Sequence, residues 1–308
     1  MSVSGLGDDW YDSAGVRAGP RRLLREELHS GRLFFPPHLV PYWDHPLVGA
    51  LPPHRKDALL ARHLFQYLEF TSHFETRVVN RATERIAGGR SGVDAARSVR
   101  LQAYRIYCDE AYHSLYSLDA VDQIATACGT APLPYDFQPF LRRLDAAGEQ
   151  LMPGEPGLAQ LLQVVVFETL ITALLTDIPR DDRVLSLVRD IVSDHARDEG
   201  RHHVFFSHFF GELWTQQDTT VRVRAARCLP ELIRRSLLPH LEPLRRSLVA
   251  AGLTATQAQD VLHDSYPADR VDAGIRDTAR HSIRLFENSG VLDVPGARDA
   301  FAAARLVD

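Results

Sequence analysis

In the stretch Asp194-His195-Ala196-Arg197-Asp198-Glu199-Gly200-Arg201-His202-His203, three side chains able to bind a metal recur at helical spacing. His195, Glu199 and His202 are four and then three residues apart, which on an α-helix places two imidazoles and a carboxylate on one face. The chemistry open to such a face is metal coordination, but one helix can hold at most half of a two-metal site. A second copy of the pattern exists upstream: Asp109-Glu110-Ala111-Tyr112-His113 repeats the Asp-Glu-x-x-His of Asp198-Glu199-Gly200-Arg201-His202, with room for a helical hairpin between them.

A carboxylate-bridged two-metal site in a four-helix bundle takes one Glu from each of two helices and one Glu-x-x-His from each of the other two. The two copies supply Glu110/His113 and Glu199/His202. Glu168 is the one charge in the apolar run Leu158 to Leu175, and burying a lone carboxylate there costs roughly several kcal/mol, or forces its protonation, unless a cation sits beside it. For the fourth helix Glu69 and Glu75 are both available. Stripe position favours Glu75, four residues from Thr71 and from Val79, with Glu69 as the alternative. Glu75, Glu110, His113, Glu168, His195, Glu199 and His202 together carry four negative charges, matching two divalent ions. A carboxylate and imidazole set without thiolate suits iron or manganese better than structural zinc. Asp109 and Asp198 read either as acceptors that fix the ring N–H of a ligand histidine or as solvated helix-face acids. His195, one turn before the last Glu-x-x-His, reads as a ligand, a supporting group or a core histidine. His73, His203 and His208 read as ordinary.

The elements that must carry these residues follow from periodicity. Lys56 to Ala87 holds Leu59, Leu60, Leu64, Tyr67, Leu68, Thr71, Glu75, Val78 and Val79 on a helical stripe and ends at Gly88-Gly89. Ala95 to Ala127 carries Val99, Tyr104, Ile106, Tyr107, Glu110, His113, Leu115 and Leu118 before Cys128-Gly129. Leu158 to Leu175 reads as a buried helix, and about Val184 to Leu213 as a fourth, with Asp181 or Asp182 as its cap. Further helices are expected at about Arg21 to His29, Gln138 to Gln150, Thr219 to Ala251 with kinks at Pro230, Pro239 and Pro243, Ala255 to Tyr266, and Asp269 to Asn288. The fold expected is all-α: a ferritin-like four-helix bundle with additional helices. Residues 1–52 form a wrapping segment with a lead-in over 1–19, 53–215 the bundle core, and 216–308 accessory helices on the same domain. Leu229, Leu232, Ile233, Leu237, Leu238 and Leu244 pack on the bundle or on a second copy of the chain, so a homodimer is expected.

Composition narrows the classes. The chain has 308 residues, 45% hydrophobic, with a net charge of −5 and a pI near 6.3. That balance gives no electrostatic footprint for nucleic acid or an anionic membrane surface. Cys108, Cys128 and Cys228 form neither a disulfide framework nor a zinc ribbon. With no apolar leader and no long apolar run, a cytoplasmic protein is expected.

The segments Phe74-Glu75-Thr76-Arg77-Val78-Val79-Asn80, Asp109-Glu110-Ala111-Tyr112-His113, Phe167-Glu168-Thr169 and His195-Ala196-Arg197-Asp198-Glu199-Gly200-Arg201-His202 resemble the ligand helices of the AurF-like arylamine N-oxygenases. The resemblance covers roughly Lys56 to Phe210. It implies that His195 is a third histidine ligand and that Glu75, not Glu69, is the ligand. It further implies two iron ions, O2 as co-substrate, oxygen transfer to an amine nitrogen giving hydroxylamine, nitroso or nitro products in natural-product biosynthesis, and electrons from a ferredoxin or reductase.

Residues one or two turns from the ligands, Tyr67, Phe70, Thr71, Phe74, Val164, Ile171, Thr172 and Leu175, are candidates for the substrate pocket. None is Lys or Arg, so a neutral or carrier-attached amine is expected rather than a simple aminobenzoate. Two alternatives stand: a di-iron hydroxylase or desaturase acting on carbon, and an iron-storage protein. The latter is disfavoured by three histidine ligands and by the long segment after Leu213.

Overall fold

The computed structural model describes residues 9–25 and 31–307, with the backbone alone at 171–174. Two short helices, α1 (Trp10–Ser13) and α2 (Gly15–Ala18), precede α3 (Pro46–Gly49). The core follows: α4 (Pro53–Phe74) passes through a π-helical turn at Glu75–Val79 into α5 (Asn80–Ala87), then come α6 (Arg97–Cys128), α7 (Gln138–Leu151), α8 (Pro156–Leu174) and α9 (Ser186–Gln216). The remainder is α10 (Thr219–Leu237), α11 (Leu241–Ala250), α12 (Ala255–Ser265), α13 (Ala268–Asn288) and α14 (Ala297–Ala303). Among the described residues there is no β-strand; one isolated bridge pairs Leu33 with Val184. The fold is all-α and ferritin-like.

Two helical hairpins make the bundle. The α4–α5 rod packs along α6, α8 packs along α9, and the halves meet where α6 contacts α9 and α5 contacts α8. Local chemistry sets the boundaries. Gly129 ends α6 at φ 67°, a left-handed conformation that glycine adopts without Cβ strain, and α8 opens on Pro156, whose missing N–H has no helical partner at that position. Residues 161–170 of α8 are buried on every side, the pattern of a helix with neighbours all round. Its outer neighbours are α7, α10 and α13.

Several expectations are corrected. Residues 21–25 are extended rather than helical, and 26–29 lie outside the described residues. The cap residue of α9 is Leu185, with no side-chain cap; Asp181 is engaged by Arg183 instead. Pro230 sits inside an unbroken α10, while the break falls at Leu238 to His240 around Pro239, and Pro243 lies in the first turn of α11, where no helical donor is lost. Leu229, Leu232, Ile233 and Leu244 are buried in the core, which takes them out of any contact with a second copy. On α6 the stripe divides: Val99, Ile106, Glu110 and His113 face inward, whereas Tyr104, Tyr107, Leu115 and Leu118 are exposed. The lead-in expected over 1–19 is held at its described residues, where the Trp10 indole N–H donates to Asp109, and the extended chain after it is anchored too. Arg21 pairs with Asp119, Arg22 with Asp194, and the Leu24 N–H donates to Gln123.

A candidate metal centre

Each Asp-Glu-x-x-His lies in the middle of a long helix, and both turn inward. Glu75, Glu110, His113, Glu168, His195, Glu199 and His202 are all buried, none more than 3% exposed. Their donor atoms fall into two overlapping groups able to hold a metal: Glu75, Glu110, His113, His195 and Glu199 in one, and Glu110, Glu168, Glu199 and His202 in the other. Glu110 and Glu199 belong to both, so either could be shared by two ions. His195 belongs to one group alone, so the two halves are unequal. Glu75 opens the π-helical turn, a distortion frequent at functional sites. Glu69 is partly exposed and lies near His73, away from the cluster.

Glu199 Oε1 is the hub. It lies 3.1 Å from His195 Nε2, 3.3 Å from His202 Nδ1 and 3.5 Å from His113 Nδ1. His202 Nδ1 is also 2.8 Å from Glu110 Oε1, yet neither atom has a partner in hydrogen-bond geometry. Glu75 Oε2, both oxygens of Glu168 and Glu199 Oε2 are likewise buried without a partner. Buried polar atoms are normally paired, and orphans gathered around one small volume fit cations shared between them. This donor set, four carboxylates and three imidazoles without sulfur, fits a pair of iron or manganese ions.

Electrostatics point the same way. Burial, reinforced by the charges of Glu110 and Glu199, pushes the Glu75 carboxyl well above the usual carboxylate range, and burial with the same two neighbours does so for Glu168. Burial would raise Glu110 as well, but His202 and His113 outweigh it and bring it to about 2. His113 rises to about 10, its desolvation overcome by Glu110 and Asp198. Without cations the cluster neutralises itself with protons, at the cost of burying ionised groups.

The outer nitrogens of two histidines are held crosswise. His113 Nε2 lies 3.2 Å from Asp198 Oδ2 and His202 Nε2 lies 3.2 Å from Asp109 Oδ2, leaving both Nδ1 atoms toward the glutamates. Asp109 and Asp198 are buried, not solvated. His203 meets the Glu168 carbonyl and His73 stacks on Tyr135 and Phe137.

A cavity of about 250 Å³ lies between α4, α7 and the α10–α11 connection, with His63, Gln66, Tyr67, Phe70, Tyr135 and His240 in its wall and, like the rest of its lining, no residue of the cluster. Tyr67 stands close enough to Glu75 and Glu199 that their charges, added to burial, raise its phenol. Of the remaining pocket candidates, Thr71, Phe74, Val164 and Leu175 are buried in helix packing, and the side chains of Ile171 and Thr172 lie outside the described part. Sequence reasoning missed His63 and Gln66, although they share a helix face with Tyr67 and Phe70, His240, which lies between helices and has no such spacing, and Tyr116, whose ring packs 5.5 Å from His113 and 6.3 Å from His195. Tyr116 sits one turn after His113, so helical spacing could have found it. A larger groove of about 590 Å³, lined by charged residues of α13 and Arg305, contains none of the cluster residues.

Fold and site together define the class: an all-α, ferritin-like bundle built around a buried carboxylate and imidazole cluster able to hold metal. A model of the family described as P-aminobenzoate N-oxygenase AurF matches residues 23–290, and the chain belongs to this family. The 4-aminobenzoate N-oxygenase of Streptomyces thioluteus is 25% identical over 262 residues, covering 81% of this chain and 77% of that protein. The chain is accordingly an enzyme of the oxygenase class. No helix among the described residues is long and apolar enough to cross a membrane.

Proposed function

We propose that this enzyme is a di-iron N-oxygenase that converts an uncharged or carrier-attached amine, of the arylamine type, to hydroxylamine, nitroso or nitro product. The observation that supports it most is the set of partnerless buried acceptors on Glu75, Glu110, Glu168 and Glu199, arranged as two groups that share Glu110 and Glu199. Glu75, His113 and His195 would complete one ion's ligands, and Glu168 and His202 the other's. Bound iron would supply the activation of O2 and the transfer of oxygen to nitrogen. Amine to hydroxylamine consumes one O2, two electrons and two protons, with the second oxygen leaving as water; hydroxylamine to nitroso releases two electrons and two protons, which balance the second O2 and second water of the nitroso-to-nitro step. The electrons come from an external ferredoxin or reductase, as neither a dinucleotide fingerprint nor iron–sulfur cysteines occur in the sequence.

The chain's own residues bind and orient the amine. The described wall of the cavity beside Tyr67 contains no Lys or Arg. Its two histidines are kept neutral: burial lowers His63 to about 4 and, with the charge of Arg143, lowers His240. Such a wall offers no cation to pair with a substrate carboxylate, which favours an uncharged amine over the aminobenzoate named for the relative. Gln66 Oε1, buried without a partner, is an acceptor for the amine N–H, and the Tyr67 hydroxyl, held neutral, is a donor or acceptor nearer the cluster. The packed aromatic floor of Phe70, Phe74, Phe137 and Phe140 keeps water from the reacting nitrogen.

Mass spectrometry of a reduced, iron-loaded, O2-exposed reaction with an uncharged arylamine tests this reading. A nitroso or nitro product is expected. A ring- or chain-hydroxylated product with nitrogen untouched would transfer the reading to carbon oxidation, and iron far above two per chain would transfer it to storage.

The enzyme also pairs with a second copy of itself through the outward face of α6. Leu101, Tyr104, Leu115 and Leu118 are exposed there, at the alternating three- and four-residue spacing of a helix seam, with Cys108 and Ala111 between them. Arg97, Arg100 and Arg105 occupy the first part of the helix, and no Lys or Arg follows them; Asp122 lies near its end, beside Asp119, which Arg21 already engages. An antiparallel second copy therefore sets the basic part near Asp122.

A further inference from the structure

The two Asp-Glu-x-x-His motifs are alike in sequence but differ in how their aspartates are held. Asp198 is met by Arg201, three residues on in its own motif. In the first motif the equivalent position is Tyr112, which offers Asp109 no cation. Trp10 of α1 takes that place from far away in the chain, its indole N–H shared between Asp109 Oδ1 at 3.0 Å and Oδ2 at 2.9 Å. Trp10 is 7% exposed and Asp109 1%, so little solvent reaches the contact. The same segment approaches the twin aspartate: a Cβ on Gly15 would stand 3.0 Å from Asp198 Oδ2. Trp10 and Gly15 precede the residues matched by the family model.

We infer that Trp10 is a positioning residue of the metal centre. An indole N–H only donates, so it holds Asp109 as an acceptor. Asp109 in turn receives Nε2–H of His202 and keeps the His202 Nδ1 lone pair turned toward Glu110 and Glu199. Groups that orient a ligand histidine in this way commonly contribute about 10- to 100-fold in metal affinity. The N-terminal segment supplies to the first motif what Arg201 supplies to the second, and the ion held by His202 depends on it. This rests on the metal-pair reading above.

The test is anaerobic cobalt(II) titration in competition with a chelator, which needs no turnover, with the melting temperature of the metal-free chain as the control for folding. Wild type takes up two ions. Trp10→Phe, which keeps an aromatic ring and removes the donor, loses about tenfold or more in affinity at one ion and leaves the other unchanged. Tyr112→Arg, which rebuilds the Asp198 and Arg201 arrangement in the first motif, restores that affinity in the Trp10→Phe background. Starting from Asp109→Ala, Trp10→Phe causes no further loss. Equal affinity in wild type and Trp10→Phe overturns the inference. So does a loss shared by both ions, or one that Tyr112→Arg does not repair, since those are the marks of general destabilisation. A wild-type chain that binds no cobalt overturns the metal-pair reading and this inference with it.

Discussion

His113 Nε2 lies 3.2 Å from Oδ2 of Asp198, a residue 85 positions away in the other Asp-Glu-x-x-His copy. His202 makes the reciprocal contact with Asp109. Each motif thus brings its own carboxylate and histidine to the cluster and lends its aspartate to the histidine of the other. Damage to one motif should be felt across the bundle. Asp198→Asn keeps the shape but replaces a charged acceptor with a neutral amide, and is expected to weaken the ion beside His113 by about 10- to 100-fold. Cobalt titration would read this directly; a loss confined to the ion of the mutated motif, beside His202, would contradict the crossed arrangement.

Metal removal should destabilise the whole fold. Glu75, Glu110, Glu168 and Glu199 crowd one interior, and burial holds Glu75 and Glu168 far above their usual range when no cation is present. Metal at 100 times its dissociation constant adds about 2.7 kcal/mol, which is several degrees of melting temperature for a chain of this size. Differential scanning calorimetry with and without chelator checks it. An unchanged melting temperature would count against the ligand set.

Substrate preference follows from the neutral wall around Tyr67. Uncharged arylamines should be turned over with higher kcat/KM than 4-aminobenzoate, and Tyr67→Phe should lower kcat/KM for the preferred amine by about three- to tenfold, the worth of one neutral hydrogen bond. Steady-state product formation measured by chromatography decides. Equal efficiency with free aminobenzoate would sink the neutral-amine reading.

Acid stability has an identifiable contributor away from the cluster. Burial would raise the Asp272 carboxyl, but hydrogen bonds and charge from Arg234 and Arg305 outweigh it and hold the group below its ordinary 3.8. Just below the ordinary carboxylate range the unfolded chain therefore binds more protons than the folded one, so stability falls as pH falls. The contribution is complete above about pH 5 and fades as pH drops through the depressed value. Asp272→Asn should flatten the acid limb of a stability-versus-pH curve and lower stability at pH 7; urea melts at several pH values measure both. An acid limb as steep as in wild type would remove Asp272 from the account.

Self-association through α6 predicts that Leu115→Asp with Leu118→Asp converts a dimer to a monomer without lowering metal content. Light scattering at micromolar concentration checks it. A wild-type chain already monomeric there, or a double variant still dimeric, would refute the α6 face.

Helix order, the two motifs and the isolated Glu168 could be read from the chain because a helix rises by a fixed step, so spacing alone says which side chains share a face. Glu110, His113, Glu168, Glu199 and His202 were legible for that reason, whereas the choice of Glu75 over Glu69 and the role of His195 came from the family resemblance. Which way each helix turns about its axis against its neighbours is not written in spacing, and that rotation decided the rest. It sent Tyr104, Leu115 and Leu118 of α6 outward, and made Glu110 and Glu199 common to both groups. It also crossed the aspartates between motifs. The π-helical turn at Glu75 and the contact of Trp10 with Asp109 left no periodic trace either. The first depends on packing that offsets a local distortion, and the second joins residues 99 positions apart, a pairing that only the closed bundle brings about.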